Sequence, residues 1–390
     1  MSPVPKQMMV ESMDHAGGGS KSGALFWIGF ASAASITVGP LIVGGLIEGY
    51  HYSPRDAGFV AGIETLGVGL GSFLVSSMGA RWSRRATISY GTLLAILGSL
   101  TPLVAHHEAA VLVFRGLAGL GCGMTAAAVI AAIAQMHRPD RQFGLYFVFS
   151  YLLNALYFPA SQGVMTTFGF ASMCYFVAAI LLTPFMALRW IASGPISTPD
   201  VHGSLPAFPL SVASISLSVS FFFWVADGAV WSFSEQLGLR SGVSPLQIGL
   251  IIALGQLASM GGAGIAAVVD IRFGRLIPTM VSIGLSMLGV LLLLVGSPAA
   301  YCAGILLISF AWTLFLTYFN GVMSAQDPAG RVAAMSVFSQ TAGMAVGPSL
   351  GGVLVVAYGY GSVSILGVAA YLLSTAVLAM LALRSPKVFA

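Results

Sequence analysis

The chain has 390 residues, 57% of them hydrophobic and only 7% charged, with a mean hydropathy of +0.93. Ordinary globular chains carry about a quarter charged residues, so this composition excludes a soluble domain and makes a bilayer the solvent that fits. The formal net charge is +4, but the basic residues gather on no single face, which argues against a nucleic-acid partner.

Residues 1–22 are polar and glycine-rich (Gly17, Gly18, Gly19, Ser20) and lack the apolar core of a signal peptide. They are expected to form a disordered cytoplasmic tail before a retained first span. A helical span needs about 20 predominantly apolar residues. By that measure twelve segments follow, at roughly 25–47, 57–80, 86–105, 110–136, 143–167, 171–192, 210–236, 246–269, 276–297, 300–324, 333–357 and 361–383. The breaks are short and carry turn signals, such as Ser53 to Asp56 and Arg138 to Arg141. Ser53 with Pro54 and Asp56 reads as a helix start.

The basic residues set the orientation. With the amino terminus in the cytoplasm, 13 of the 16 Lys and Arg fall on the cytoplasmic side, Arg55 and Arg240 fall outside, and Arg115 lies within a span. That asymmetry obeys the positive-inside rule and would collapse if one span were missed. Both termini are therefore expected in the cytoplasm.

Cys122, Cys174 and Cys302 lie far apart within apolar stretches, which argues against a disulfide framework or a zinc site. His106, His107 and Glu108 read as a solvated turn, because adjacent histidines cannot easily share one tetrahedral ion. No metal or other cofactor is expected.

The chain also repeats itself. At an offset of 191, Ser53 and Pro54 meet Ser244 and Pro245, Gly58 meets Gly249, Arg81 meets Arg272 and Arg84 meets Arg275. At 189, Pro139 meets Pro328, Val148 to Ser150 meet Val337 to Ser339, Pro159 meets Pro348 and Gly163 meets Gly352. Two parallel six-helix halves follow: bundles at 23–192 and 210–384, a cytoplasmic linker at 193–209 and a tail at 385–390.

Twelve spans in two halves, with arginine-rich loops between spans 2–3 and 8–9, resemble the major facilitator superfamily from about residue 22 to 386. The first loop keeps the basic residues of the family's signature (Arg81, Arg84, Arg85), with Ser76 and Ala80 in place of its first glycine and its aspartate. The second copy reads Asp270, Arg272, Gly274, Arg275, its acid displaced by one residue. Arg115 with Gly119, Gly121 and Gly123 is similar to the family's span-4 arginine-glycine motif, and Gly343 to Gly352 is similar to its antiporter motif, here in span 11. In span 5, where that motif assigns the drug-exporter branch, only Pro159 and Gly163 match. The resemblance implies an all-α fold of two pseudo-symmetric six-helix bundles. It also implies that the loop residues, Arg81, Arg84, Arg85, Asp270, Arg272, Gly274 and Arg275, take part in gating.

The motifs also have a physical reading. Glycines three or four residues apart (Gly67 and Gly71, Gly119 and Gly123, Gly343 and Gly347) let helices approach closely where lipid supplies no hydrophobic drive.

Three charged side chains lie well inside the spans: Glu64, Arg115 and Asp227. Charges in hydrocarbon are costly and require a partner or a watery cavity. At 1.5 Å per residue, Glu64 lies about 12 Å below Asp56 and Arg115 about 10 Å below Glu108, one common depth. A Glu64–Arg115 pair is expected, either titrating in transport or statically orienting its helices. Asp227 has no evident counter-charge; it is read foremost as a proton carrier, with a cationic substrate or a protonated carboxyl bonded to Asn320 as alternatives. Glu48 and Glu235 read as solvated helix ends.

Asn154, Gln162, Gln256, Asn320 and Gln340 lie on spans 5, 8, 10 and 11, which in the superfamily contribute to the central cavity; Trp231 lies on span 7. They are expected either to line a substrate cavity or to join helices.

The expected function is secondary active transport of a small organic solute by alternating access, coupled to protons, by a monomer in a plasma membrane of bacterial inner-membrane type. No G-x-x-x-x-G-K-S/T run is present, which excludes ATP drive by this chain, and the direction stays open. The competing readings, a membrane enzyme or a transporter-derived sensor, want an intramembrane cluster of His, Cys or acids, or a long soluble extension. The sequence has neither.

Overall fold

The computed structural model describes residues 6–78, 81–191, 193–196, 210–326 and 331–389. The first half comprises α1 (Lys6–Thr37), α2 (Gly39–Tyr50), α3 (Pro54–Met78), α4 (Arg84–Ser99), α5 (Glu108–Ala134), α6 (Pro139–Phe168), α7 (Phe170–Leu182) and the short α8 (Pro184–Ala187). The second comprises α9 (Leu210–Ser232), α10 (Ser234–Arg240), α11 (Pro245–Val269), α12 (Leu276–Leu293), α13 (Pro298–Gln326), α14 (Arg331–Tyr358) and α15 (Gly361–Arg384). No strand occurs among the described residues.

Eleven segments of the described residues are long and apolar enough to cross a membrane, the first of them running across α1 and α2 from Ser22 to Tyr50. The twelfth expected segment, 86–105, is α4 followed by a 3-10 turn at Thr101–Val104. Its 16-residue helix spans about 24 Å, a little under a bilayer core. Pro102, which has no backbone N–H to continue the ladder, stands where α4 gives way to the turn.

The amino-terminal tail also differs from expectation. Helical backbone begins at Lys6, because elongating an existing helix needs only one new hydrogen bond per residue and no proline follows Pro5 until Pro40. The linker expected at 193–209 lies outside the described residues beyond residue 196.

The repeat seen in the sequence is physical. The Ser53 hydroxyl accepts the Asp56 amide at 3.2 Å to open α3, and its counterpart Ser244 forms a capping box with Gln247 to open α11. The first span of each half is interrupted toward one end: α1 gives way to α2 beside Pro40, and α9 to α10 at Phe233. Proline explains the first break; the second contains none.

Glycines set the helix spacing. A Cβ on Gly119 of α5 would overlap the Glu64 carbonyl of α3, and one on Gly123 would overlap that of Val68. In the second half, a Cβ on Gly262 of α11 would overlap the Phe310 carbonyl of α13. The halves meet along two pseudo-symmetric seams, α3 against α14 and α6 against α11. There Gly58 lies against the Pro348 carbonyl and Gly249 against Pro159 and Gln162. The outer surface carries large apolar side chains more than half exposed, such as Phe73, Leu156, Phe168, Val268 and Leu383, a surface that only lipid solvates well.

Candidate functional site

Glu64 of α3 and Arg115 of α5 form a salt bridge in the interior of the first bundle, at 4% and 1% exposure. The Arg115 Nε donates to Glu64 Oε2 at 3.1 Å, and its terminal amino group donates to the Ser35 hydroxyl of α1 at 2.8 Å. Ser35 in turn donates to Glu64 Oε1 at 2.7 Å. This closed triangle satisfies both carboxylate oxygens and pairs the charge of the cation. Ser35 gives no sign in the sequence, since a serine among alanines is ordinary in a span.

Asp227 is different. It lies on α9, partly accessible, and makes no hydrogen bond or ion pair with another described residue. The alternative expectation, a bond to Asn320, is not met: the Asn320 Oδ1 accepts from Gln340 Nε2 at 3.5 Å.

Before and after Asp227 along α9, aromatic side chains join the halves at two levels. At one level Tyr151 of α6 meets Trp312 of α13 edge-on, with ring centroids 6.5 Å apart, and Trp312 meets Trp224 of α9 at 5.9 Å. At the other, Phe158 of α6 meets Trp231 of α9 at 6.2 Å, and a Cβ on Gly39 of α2 would lie 3.7 Å from the Trp231 indole nitrogen. Seven residues separate both Tyr151 from Phe158 and Trp224 from Trp231, so each pair shares a helix face two turns, or about 10 Å, apart. Asp227 and Asn154 fall between these levels, and Asn154 accepts from the Thr37 hydroxyl at 3.5 Å, beside the α1–α2 break. Gln256 stands two turns beyond Gly249 on α11 and is half-buried.

The arginine-poor end of the molecule holds an unexpected contact. Gln162 Nε2 of α6 donates to Glu235 Oε1 of α10 at 3.0 Å, and Gln236 Nε2 donates to Glu48 Oε1 of α2 at 3.0 Å. Glu48 is exposed, but Glu235 is only 3% exposed, and its Oε2 has no hydrogen-bond partner. Glu235 is therefore not a solvated helix end: α10 runs on past Phe233 and carries it under the other half. Gln162 belongs to this latch and not to an open cavity wall.

At the arginine-rich end the loops bind their own halves. The Arg84 amide donates to the Gly194 carbonyl at 2.8 Å, its guanidinium donates to Gln135 at 2.9 Å, and Arg85 donates to the Ile191 carbonyl. In the second half the Arg275 amide donates to the Phe389 carbonyl at 2.9 Å, so the expected tail is a 3-10 turn, Pro386–Phe389, seated on this loop. Gly274 takes φ +64° there, a conformation that suits glycine. Arg81 and Arg272 are exposed, as is Asp270, whose carbonyl accepts from Tyr318 at 2.8 Å.

Comparison with known proteins agrees with this architecture. The sequence profile of the Major Facilitator Superfamily matches residues 25–341. The nucleoside transporter NupG superposes with a TM-score of 0.78 at 14% identity, over 92% of this chain and 99% of that one. A D-xylose-proton symporter gives 0.72 at 14% identity over 91% and 95%, and the POT family transporter PepTSo 0.77 at 12% over 94% and 98%. Among curated proteins none matches. With a profile covering most of its length and a fold of two six-helix halves, the chain belongs to the Major Facilitator Superfamily.

Proposed function

We propose that this chain is a secondary active carrier of a small organic solute, working by alternating access and coupled to protons through Asp227. It acts as a monomer in a plasma membrane of the bacterial inner-membrane kind, with its arginine-rich end and both termini in the cytoplasm. It is a carrier and not an enzyme.

The observation that carries the reading is the distribution of contacts between the halves. At the arginine-poor end Gln162 grips Glu235 and Gln236 grips Glu48. At the arginine-rich end the loops that carry Arg84 and Arg275 bind residues of their own halves. Two bundles latched at one end and separately braced at the other are the parts that rocking requires. One of the similar structures is a D-xylose-proton symporter, which supports the same reading.

The test begins with melting temperatures of the purified protein against a broad solute library at acidic and neutral pH. A ligand at 100 times its dissociation constant adds about 2.7 kcal/mol. The solute found is then followed into proteoliposomes with and without an imposed pH gradient. Uptake or release that follows the gradient, and loses that dependence in Asp227→Asn, upholds the proposal. Transport indifferent to the gradient removes the proton, and a solute that binds but never crosses removes the carrier.

A further inference from the structure

We propose that the space between the two aromatic levels is a binding site for a small organic ammonium ion, with Asp227 as its carboxylate. This names the solute class of the carrier proposed above and rests on that reading.

Charge comes first. Arg115 is engaged by Glu64 and Ser35, so its charge is already paired inside the first bundle and does not face the second. Helices α11, α12 and α13 contain no Lys, Arg, His, Asp or Glu at all, and the neighbour of Asp227 on α15 is a tyrosine, Tyr371. Asp227 is therefore a carboxyl with no counter-charge among the described residues. A carboxylate in apolar surroundings calls for a cation.

The walls decide which cation. A hard metal cation such as Ca2+ or Mg2+ wants six or more oxygen ligands, and this space offers the Asp227 carboxylate and the Asn154 amide. Its other walls are Trp224, Trp231, Trp312 and Tyr151, whose ring faces attract a poorly hydrated ammonium within about 6 Å. The two levels stand about 10 Å apart along α6 and α9, a spacing that matches one headgroup and not an extended peptide. The Trp224 indole N–H, at 5% exposure, has no acceptor, so the ligand that fits best carries an acceptor oxygen near its ammonium group. A carboxylate neutralised by such a cation has no place for a proton, so Asp227 holds the two in turn.

The probe is benzyltrimethylammonium, set against its uncharged carbon isostere neopentylbenzene and against phenylacetate. Three of the chain's six tryptophans line the site, so intrinsic fluorescence of the detergent-purified chain reports binding directly. The expected result is saturable quenching and a raised melting temperature with the ammonium ion alone. Affinity should fall at least tenfold, by the reasoning above, in Asp227→Asn and in Trp312→Leu, and survive in Asp227→Glu. Should Asp227→Asn fail to fold, Trp312→Leu and Asp227→Glu decide the matter. Equal binding of neopentylbenzene, binding of phenylacetate in preference, or undiminished affinity in the folded variants overturns the site. Counterflow in proteoliposomes separates the two proposals. Ammonium binding without counterflow upholds the site and overturns the carrier; counterflow of another solute with no ammonium binding overturns the site and leaves the carrier standing.

Discussion

Gln162 donates a hydrogen bond to Glu235 across the junction of the two halves, at 3.0 Å and out of contact with solvent. Removing the amide leaves a buried carboxyl with neither oxygen satisfied, since Oε2 already lacks a partner. An unsatisfied buried polar group costs about 1–3 kcal/mol. Gln162→Ala is expected to lower the melting temperature and to favour separation of the halves at this end. The second effect is read from a Glu48→Cys/Gln236→Cys pair, which should cross-link less readily once Gln162 is gone. An unchanged cross-linking rate would mean that this contact does not hold the end closed.

The Ser35–Glu64–Arg115 triangle yields a second expectation. Breaking a buried ion pair by deleting one partner costs about 3–5 kcal/mol, because the other charge is stranded. Arg115→Ala alone should therefore be severely destabilised, whereas Arg115→Met combined with Glu64→Gln should recover most of the loss. If the recovered protein also transports, the pair is a structural strut; if it folds and does not transport, the charges take part in the cycle. Melting temperature and transport on the same three proteins separate these outcomes.

The fold is legible in the sequence because its main determinants are local. Hydropathy marks the spans, and the matches from Ser53 with Ser244 to Pro159 with Pro348 mark the two halves. The meeting of Glu64 and Arg115 is also within reach, since helix rise alone puts them at one depth. Glu235 is not. Near the end of an apolar run and followed by Gln236 and Arg240, it looks solvated, whereas Gln162 of α6 and Gly44 of α2, both in the opposite half, pack against it. The shared depth of Gln162 and Glu235 was the one available signal. The two aromatic levels are hidden for a related reason. Aromatic residues are common in spans, and the seven-residue spacing means something only once α6 and α9 are known to face the same space.

Glycine placement gives a sharp comparison within one helix. A Cβ on Gly119 would overlap the Glu64 carbonyl, whereas one on Gly116 would meet Ile63 at an ordinary 3.6 Å. Gly119→Ala must push α3 from α5 and disturb the Arg115 pair; overpacking of this kind costs about 1–3 kcal/mol. Gly116→Ala should be neutral or slightly stabilising through its higher helix propensity. Parallel thermal melts decide it, and equal effects at the two positions would show that close approach at Gly119 is not what limits the packing.

Asp270 ends α11 with φ +50° and ψ −138°, a backbone region that few residues other than glycine enter and that costs about 1–3 kcal/mol. Its carbonyl is held by Tyr318, a contact that survives any change of side chain. Asp270→Gly should therefore raise the melting temperature, while Asp270→Ala, which keeps the strain, should not. Transport then reports on the carboxylate itself. If both variants lose activity although one is more stable than the parent, the acid has a part in gating that is separate from the shape of the loop. If Asp270→Gly is fully active, the strained turn serves only to seat Arg275 against Phe389.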